Sequence, residues 1–317
     1  AFLGLCMSIA SERVDDARGR SPPIHPPANS RGELVAEIGN GRTRLSTLLA
    51  TYPLKLLVLS DRHQAEETAG AAQLVYVLNY GGGLVAGDRV ELDVQLKEGT
   101  GVALRTQAST KIYHSNGSLV SEQILRADVS HDAALAVWPD YITCFADARY
   151  IQSQTFRLLS TSSLALLDWM SCGRSARGEE WAFDMYKSMN EIYIDERLVF
   201  RDQVLLRQNG GILPLKPRMM GQGAIALLVL IGPKFSRVAV DALALINKMK
   251  INDLTSDAVE ERKDVLYSGS PLSVSAGSPP VGCVLRICGL TTESVKECIQ
   301  WLVPGLAEAL GASDLWK

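Results

Sequence analysis

Four stretches of this chain concentrate groups able to do chemistry. Gly173-Arg174-Ser175-Ala176-Arg177-Gly178-Glu179 sets two guanidinium groups and a carboxylate in a glycine-bounded loop. That set suits recognition of an anion or a carboxylate, because guanidinium offers a planar fork of donors. Pro139 to Asp147 carries the carboxylates Asp140 and Asp147 around Thr143 and Cys144. Such groups could bind a divalent ion weakly, but a plain surface turn before a strand is the favoured reading. Thr106-Gln107-Ala108-Ser109-Thr110-Lys111-Ile112-Tyr113 interrupts an apolar β pattern with hydroxyls, an amide and a cation. These residues can line a channel or a partner surface, or simply satisfy an edge strand. Tyr80 to Asp88 holds Gly81, Gly82 and Gly83 in a row. Gly81, Gly83 and Ala86 spell a dinucleotide fingerprint, yet that mechanism needs a helix to begin there, and Arg89 to Val94 reads as strand. A phosphate-loop reading fails because Asp88 stands where Lys belongs. The glycines are therefore expected to serve positive φ or close strand packing.

Catalytic constellations are lacking. The loop after Trp169 is not a G-x-S-x-G elbow, since Arg177 occupies the second glycine position around Ser175. Cys172 has no histidine near it in sequence, and a thiol nucleophile needs one. The histidines (His25, His63, His114, His131) show no H-E-x-x-H or His-x-His spacing, and there is no C-x-x-C. No catalytic residue, tightly bound cofactor or high-affinity metal site is expected. A hydrolase using Cys172 or Ser175 remains as a rival reading, beside a β-solenoid binding module with no metal role.

The elements that must position these groups are mostly strands. The chain has 317 residues, 47% apolar and 21% charged, with a formal charge of −3 from 32 basic and 35 acidic residues. It is built to bury a core, and the charge balance gives no bulk attraction to nucleic acid or an anionic membrane. No apolar run is long enough to span a bilayer as a helix. Few, scattered cysteines suit a reducing, cytoplasmic setting. Val90, Leu92, Val94 and Leu96 alternate with polar residues, a half-buried strand. Leu74 to Asn79 is dense enough for burial on both faces. Further strands are expected at 101–106, 119–129, 133–138, 150–159, 163–170, 190–195, 198–207 and 224–231. Short turns separate them, so they can pair as hairpins or stack as rungs. Val102-Ala103-Leu104, Leu135-Ala136-Val137 and Leu164-Ala165-Leu166 repeat roughly thirty residues apart, a period that suggests a stacked β architecture. About two helices are expected late: one over 238–249 capped by Ser236, one over 295–302 capped by Thr292 and ended by Pro304. Residues 1–31, Pro-rich after an apolar start, are expected to form a disordered arm ahead of one domain over 32–317. Residues 252–280 are expected to form a mobile loop.

Taken together and in order, these segments resemble the urease accessory protein D family, also called the H protein in some bacteria. The stretches that carry the resemblance are Tyr52-Pro53-Leu54-Lys55-Leu56-Leu57, Tyr80 to Asp88, Thr106 to Tyr113, Phe145-Ala146-Asp147-Ala148-Arg149-Tyr150 and Leu167-Asp168-Trp169 through Glu179. The closing Trp316-Lys317 is similar to eukaryotic, particularly fungal, members. The resemblance implies a β-helical scaffold with C-terminal helices and no enzyme. It implies binding to apo-urease and to an F-type accessory protein that recruits a G-type GTPase carrying nickel. It further implies that Ni²⁺ passes through a water-lined tunnel toward the urease active site. Oxygen ligands suit such a path better than clustered His and Cys, which would trap the ion. Asp147 and Glu179 are the leading transit candidates, with Asp140 and Asp168 behind them. Gly81, Gly82, Gly83, Asp88, Thr106, Gln107, Thr110, Lys111, Arg174 and Arg177 are structural or interface candidates. The ordinary alternative pairs Asp147 with Arg149, and Glu179 with Arg174 or Arg177, as exposed ion pairs.

Overall fold

A computed structural model describes residues 28–58, 71–115, 117–253 and 264–311. Strands β1 (Asn29–Gly39) and β2 (Arg42–Ala50) form a hairpin, followed by β3 (Leu54–Val58) and β4 (Gln73–Asn79). Then come β5 (Gly83–Leu84), β6 (Arg89–Leu96), β7 (Gly101–Arg105), β8 (Thr110–Ile112) and β9 (Ser121–Val129). Next are β10 (Ala134–Val137), β11 (Ile142–Cys144), β12 (Arg149–Leu158) and β13 (Ser163–Ser171). A small hairpin, β14 (Gly173–Arg174) and β15 (Glu179–Glu180), precedes the long hairpin β16 (Met185–Ile194) and β17 (Arg197–Arg207). The chain closes with α1 (Leu215–Arg218), β18 (Ala224–Ile231), α2 (Ser236–Asp253), β19 (Val265–Ser273), β20 (Pro280–Gly289), α3 (Thr292–Leu302) and α4 (Leu306–Leu310).

The strands make a β-solenoid of about four turns. One sheet runs β17-β16-β12-β9-β6-β1-β2, and the facing sheet runs β19-β20-β18-β13-β10-β7-β4-β3. The chain passes from β6 to β7, from β9 to β10 and from β12 to β13, climbing one parallel strand per pass. Short strands β5, β8 and β11 extend the second sheet at one end of the coil.

Register explains the repeated triplets. Val102, Leu135 and Leu164 stack as direct partners, as do Ala103, Ala136 and Ala165, and Leu104, Val137 and Leu166. The Val and Leu members face the interior between the sheets, packed with Phe156 and Ile192. The alanines face outward under α2, α3 and α4, in a second core with Phe235, Ile246 and Ile299. A column of methyl groups lets the helices approach closely, and so this sheet is apolar on both faces. The first sheet is apolar on its inner face only. Its outer face carries charges, with Arg89 and Arg126 bridging Glu91, Asp93 and Glu122 on neighbouring turns. The exposed pair among these, Arg126–Asp93, contributes about 0–1 kcal/mol. Alternation along Val90 to Leu96 records that one-sided burial.

Several boundaries differ from the sequence expectation. The arm over 1–31 overlaps the fold, because Asn29, Ser30 and Arg31 pair with Arg89, Val90 and Glu91. Residues 1–27, with His25, lie outside the described residues, as do His63 and Trp316-Lys317. The loop over 252–280 contains β19, an edge strand paired along β20, and 254–263 lie outside the described residues. Leu74 and Val75 do face opposite cores, but Tyr76 to Asn79 are half-buried. Among the described residues the helices number four, two of them of one turn. Ser236 is not an N-cap: it has helical φ and follows the turn Pro233–Phe235, which starts at Gly232. The cap of α3 is Thr291, whose hydroxyl accepts from the Ser294 backbone N–H. Pro304 separates α3 from α4.

The glycine run does both things expected of it. Gly81 and Gly82 hold φ of +80° and +73°, while Gly83 is extended and a β-carbon there would lie 2.0 Å from the Lys111 carbonyl oxygen. Gly82→Val is therefore expected to destabilise by about 1–3 kcal/mol through left-handed backbone strain. Gly83→Ala should cost at least as much, because β5 must move off β8. Thermal denaturation of both variants checks this; an unchanged melting temperature for Gly83→Ala would refute the packing.

Candidate functional site

The space between the sheets is not uniformly apolar. Along β12 the inward residues run Tyr150, Gln152, Gln154, Phe156; along β16 they run Tyr186, Ser188, Asn190, Ile192. Gln152 partners Ser188 and Gln154 partners Asn190 in the register, and Asp202 of β17 continues the row beside Asn190. Asp168 of β13 faces this row from the other sheet. Its Oδ1 accepts from Gln152 Nε2 at 2.9 Å, and its Oδ2 accepts from Ser188 Oγ and Asn190 Nδ2, both at 2.7 Å. Gln154 Nε2 donates to Asn190 Oδ1 at 2.9 Å, and the Tyr150 hydroxyl lies 3.0 Å from Gln123 Oε1 and 3.1 Å from Gln152 Oε1. At the far side Arg286 of β20 donates to Asp202 at 2.5 Å. Burial pushes the Asp202 carboxyl up from its ordinary range, Arg286 pulls it down, and Asp168 adds to the rise.

This is a layer of oxygens and amides crossing the coil between two apolar blocks. One block holds Phe156, Ile192 and Leu166; the other holds Tyr150, Tyr186, Phe183 and Met170. Its acceptors are hard, and Arg286 is the cation bonded to it among the described residues, so a divalent ion entering it would compete with Arg286 for Asp202. Cys144 and Cys172 sit in the second block, where burial raises both thiols and so disfavours thiolate. Among the described residues no group of three His, Cys, Asp or Glu could hold a metal ion.

A second cluster forms where the coil ends. Arg174 grips Glu179 with two guanidinium nitrogens, Nε at 2.8 Å and Nη2 at 2.5 Å, and lies 3.8 Å from the Phe145 ring centroid. Glu179 Oε2 also accepts from the Ala146 backbone N–H at 3.2 Å. His114 completes the group: Nδ1 meets the Ala146 carbonyl at 2.6 Å, and Nε2 meets Arg174 at 3.2 Å. A carbonyl only accepts and an arginine only donates, so these contacts place the proton on Nδ1. Two of the family-like stretches, Phe145 to Tyr150 and Leu167 to Glu179, thus close on one another, with His114 directly after a third. The hydrogen bond from Arg174 holds the Glu179 carboxyl below its usual range. Of the two pairings open for Glu179, Arg174 is the partner; Arg149 pairs with Asp184 rather than Asp147. Asp147 is exposed, at φ of +61°, a turn conformation that Asp tolerates better than most residues. Nearby Asp88 is buried and pins the entry to β6, accepting from the backbone N–H groups of Ala28 and Val85.

The four carboxylate candidates are therefore dispersed. Asp168 is in the layer, Glu179 in the end cluster, Asp147 on the adjoining turn, and Asp140 beside an outer groove of about 450 Å³ with Thr106 and Gln107. Thr106 Oγ1 accepts from the Asp140 backbone N–H. Thr110 and Lys111 pair with Ile142 and Thr143. Arg177 is exposed in a turn. Among the described residues no hydrogen bond joins Cys172 or Ser175 to a histidine. Sequence reasoning passed over Gln152, Gln154, Ser188, Asn190, Asp202 and Arg286. The period-two placement of Gln152 with Gln154 and of Ser188 with Asn190 was visible, but not which face of the sheet they occupy.

A family model described as "UreD urease accessory protein" matches residues 28–315. The chain is 36% identical over 295 residues to "Urease accessory protein D" of Oryza sativa subsp. japonica, covering 90% of this chain and 94% of that one. It is 38% identical over 280 residues to "Urease accessory protein UreD" of Sorangium cellulosum, covering 88% and 81%. It is 31% identical over 246 residues to "Urease accessory protein 4" of Cryptococcus neoformans, covering 68% and 74%.

Two stability measurements probe the site. Asp168→Ala strands three donors and is expected to cost about 1–3 kcal/mol in chemical denaturation. Glu179→Gln should cost about 0.5–1 kcal/mol at neutral pH, given a largely covered ion pair. The folded Glu179 value is lowered, so its contribution is full above the ordinary Glu range near about 4.3 and is lost as pH falls through the lower folded value. The Glu179→Gln variant should accordingly lose less stability than the parent between neutral and strongly acidic pH. Equal losses would contradict the pairing.

Proposed function

The chain belongs to the UreD urease accessory protein family, and from that premise we propose that it is a non-catalytic scaffold that passes Ni²⁺ toward the active site of apo-urease. Its relatives' names support a role in urease maturation. In the finer reading, the chain binds apo-urease and an F-type accessory protein, and through the latter a G-type GTPase that carries nickel. Nickel is cargo here, not a resident cofactor.

The observation that carries the reading is the interior layer around Asp168. A solenoid core gains most by burying apolar side chains throughout, yet here glutamine, serine, asparagine and aspartate occupy inward positions on adjacent turns. For a metal in transit, oxygen and amide groups are suitable because they exchange quickly, whereas thiolate and imidazole clusters retain the ion. Asp168 is the strongest transit candidate, held by neutral donors rather than by a cation. Asp147, exposed on the turn beside the end cluster, suits docking.

Cells lacking this chain should accumulate urease protein that is nickel-poor and inactive, and the parent gene should restore it. Asp168→Asn is expected to leave complex assembly intact while lowering nickel per urease. Asp147→Asn is expected to weaken the complex itself. Copurification with urease and metal analysis of the purified enzyme separate the two effects. Normal nickel loading without the chain would end the proposal.

A further inference from the structure

A cleft of about 720 Å³ opens at the end of the coil, between the β14–β15 hairpin, the α1 turn and the start of α3. We infer that this cleft is the docking groove for an acidic, apolar-bearing segment of a partner protein. The inference rests on reading the chain as a scaffold for protein partners, and extends it to one surface and one chemistry.

Charge is the first argument. Lys111, Arg174 and Lys216 line the cleft. The acids beside them are spoken for: Glu179 is gripped by Arg174, and Glu180 pairs with Lys216 at 2.8 Å. Among the described residues no ion pair engages Lys111 or the exposed Arg177 on the adjoining turn. A cationic surplus thus sits on a chain whose overall charge is −3. An acidic segment is steered to such a patch against the field of the remainder.

The second argument is the apolar lip. Leu290 lines the cleft and is 47% exposed; Met220, beside the lining residue Gly221, is 67% exposed. Tyr141, Phe145 and Trp181 form the walls. A lone anion would neutralise Lys111 and leave Leu290 and Met220 in water. An occupant carrying both carboxylates and apolar groups covers both. The floor offers a polar seat, because the buried hydroxyls of Thr143 and Ser171 face each other at 3.2 Å. An extended chain alternating the two residue types matches a groove of this size and lining.

The test uses the full chain and fluorescein-labelled peptides of about ten residues in which Leu alternates with Glu, Gln or Lys. Fluorescence anisotropy should show the Glu–Leu peptide binding and the Lys–Leu peptide not binding. Lys111→Glu and Leu290→Ser should each weaken the Glu–Leu peptide about tenfold or more. Lys97→Glu, on the exposed turn at the opposite end of β6, should leave it unchanged. The inference is overturned if the parent does not bind the Glu–Leu peptide, or if Lys97→Glu weakens it as much as Lys111→Glu. Equal binding of the Gln–Leu peptide overturns it too, as does displacement by inorganic phosphate with Leu290→Ser silent. The same variants are then scored for urease activation. A parent that cannot activate urease removes the scaffold reading, whatever the peptides do. A Lys111→Glu variant that loses the peptide yet activates urease fully removes the groove while the scaffold reading stands.

Discussion

In a parallel coil each inward side chain has, as its closest neighbours, its counterparts one turn above and below. That constraint governs this molecule. Leu104, Val137 and Leu166 stack into one apolar column because the register gives them no other neighbours. The same rule makes polarity contagious. Once Gln152 points inward on β12, Gln123 and Ser188 are its ladder partners, and Gln154 likewise meets Asn190. A buried amide without a partner is costly, so one polar position is stable only as part of a layer. Asp168, facing from the other sheet, ties the layer together with three accepted hydrogen bonds. Arg286 and Asp202 close its far side with an ion pair.

The apolar half of the fold was legible because it repeats. The recurring Val-Ala-Leu, Leu-Ala-Val and Leu-Ala-Leu triplets encode inward branched residues and outward methyl groups, and the structure stacks them in register. Two of the helices that cover the outward alanines were legible from their own periodicity, whereas the two one-turn helices carry too little to be read. The polar layer was much less legible. A glutamine in a strand reads as solvent-facing unless the facing sheet is known, and Asp202 and Arg286 are 84 residues apart in sequence. Long-range pairing of that kind leaves no local signal. The β19 strand was lost for the opposite reason: its Ser, Gly and Pro content reads as loop, and only pairing along β20 holds it extended.

At the end of the coil, chain segments with no repeat are held by side chain to backbone contacts. Asp88 ties the residue before β1 to the turn before β6, and Glu179 ties the β14–β15 hairpin to Ala146. Arg174 lies on Phe145 and reaches His114, so five segments are fixed by one guanidinium and two carboxylates. This order makes a cleft possible on a surface built from turns. Gly83, which opens β5, admits no larger residue because the strand passes directly against Lys111, whereas Gly81 and Gly82 are set by their positive φ. The scaffold reading draws both features together, a rigid face for partners and a polar interior behind it.

The most direct measurement is the nickel content of urease matured by a chain whose layer has been made apolar. Gln154→Leu with Asn190→Leu removes both members of one hydrogen-bonded pair, which is far less destabilising than removing one. Asp168 keeps its bonds to Gln152 and Ser188. The account predicts a folded protein that still assembles with urease and the accessory proteins but leaves the enzyme markedly short of nickel. Full nickel loading by that variant would show that the ion does not travel through the layer.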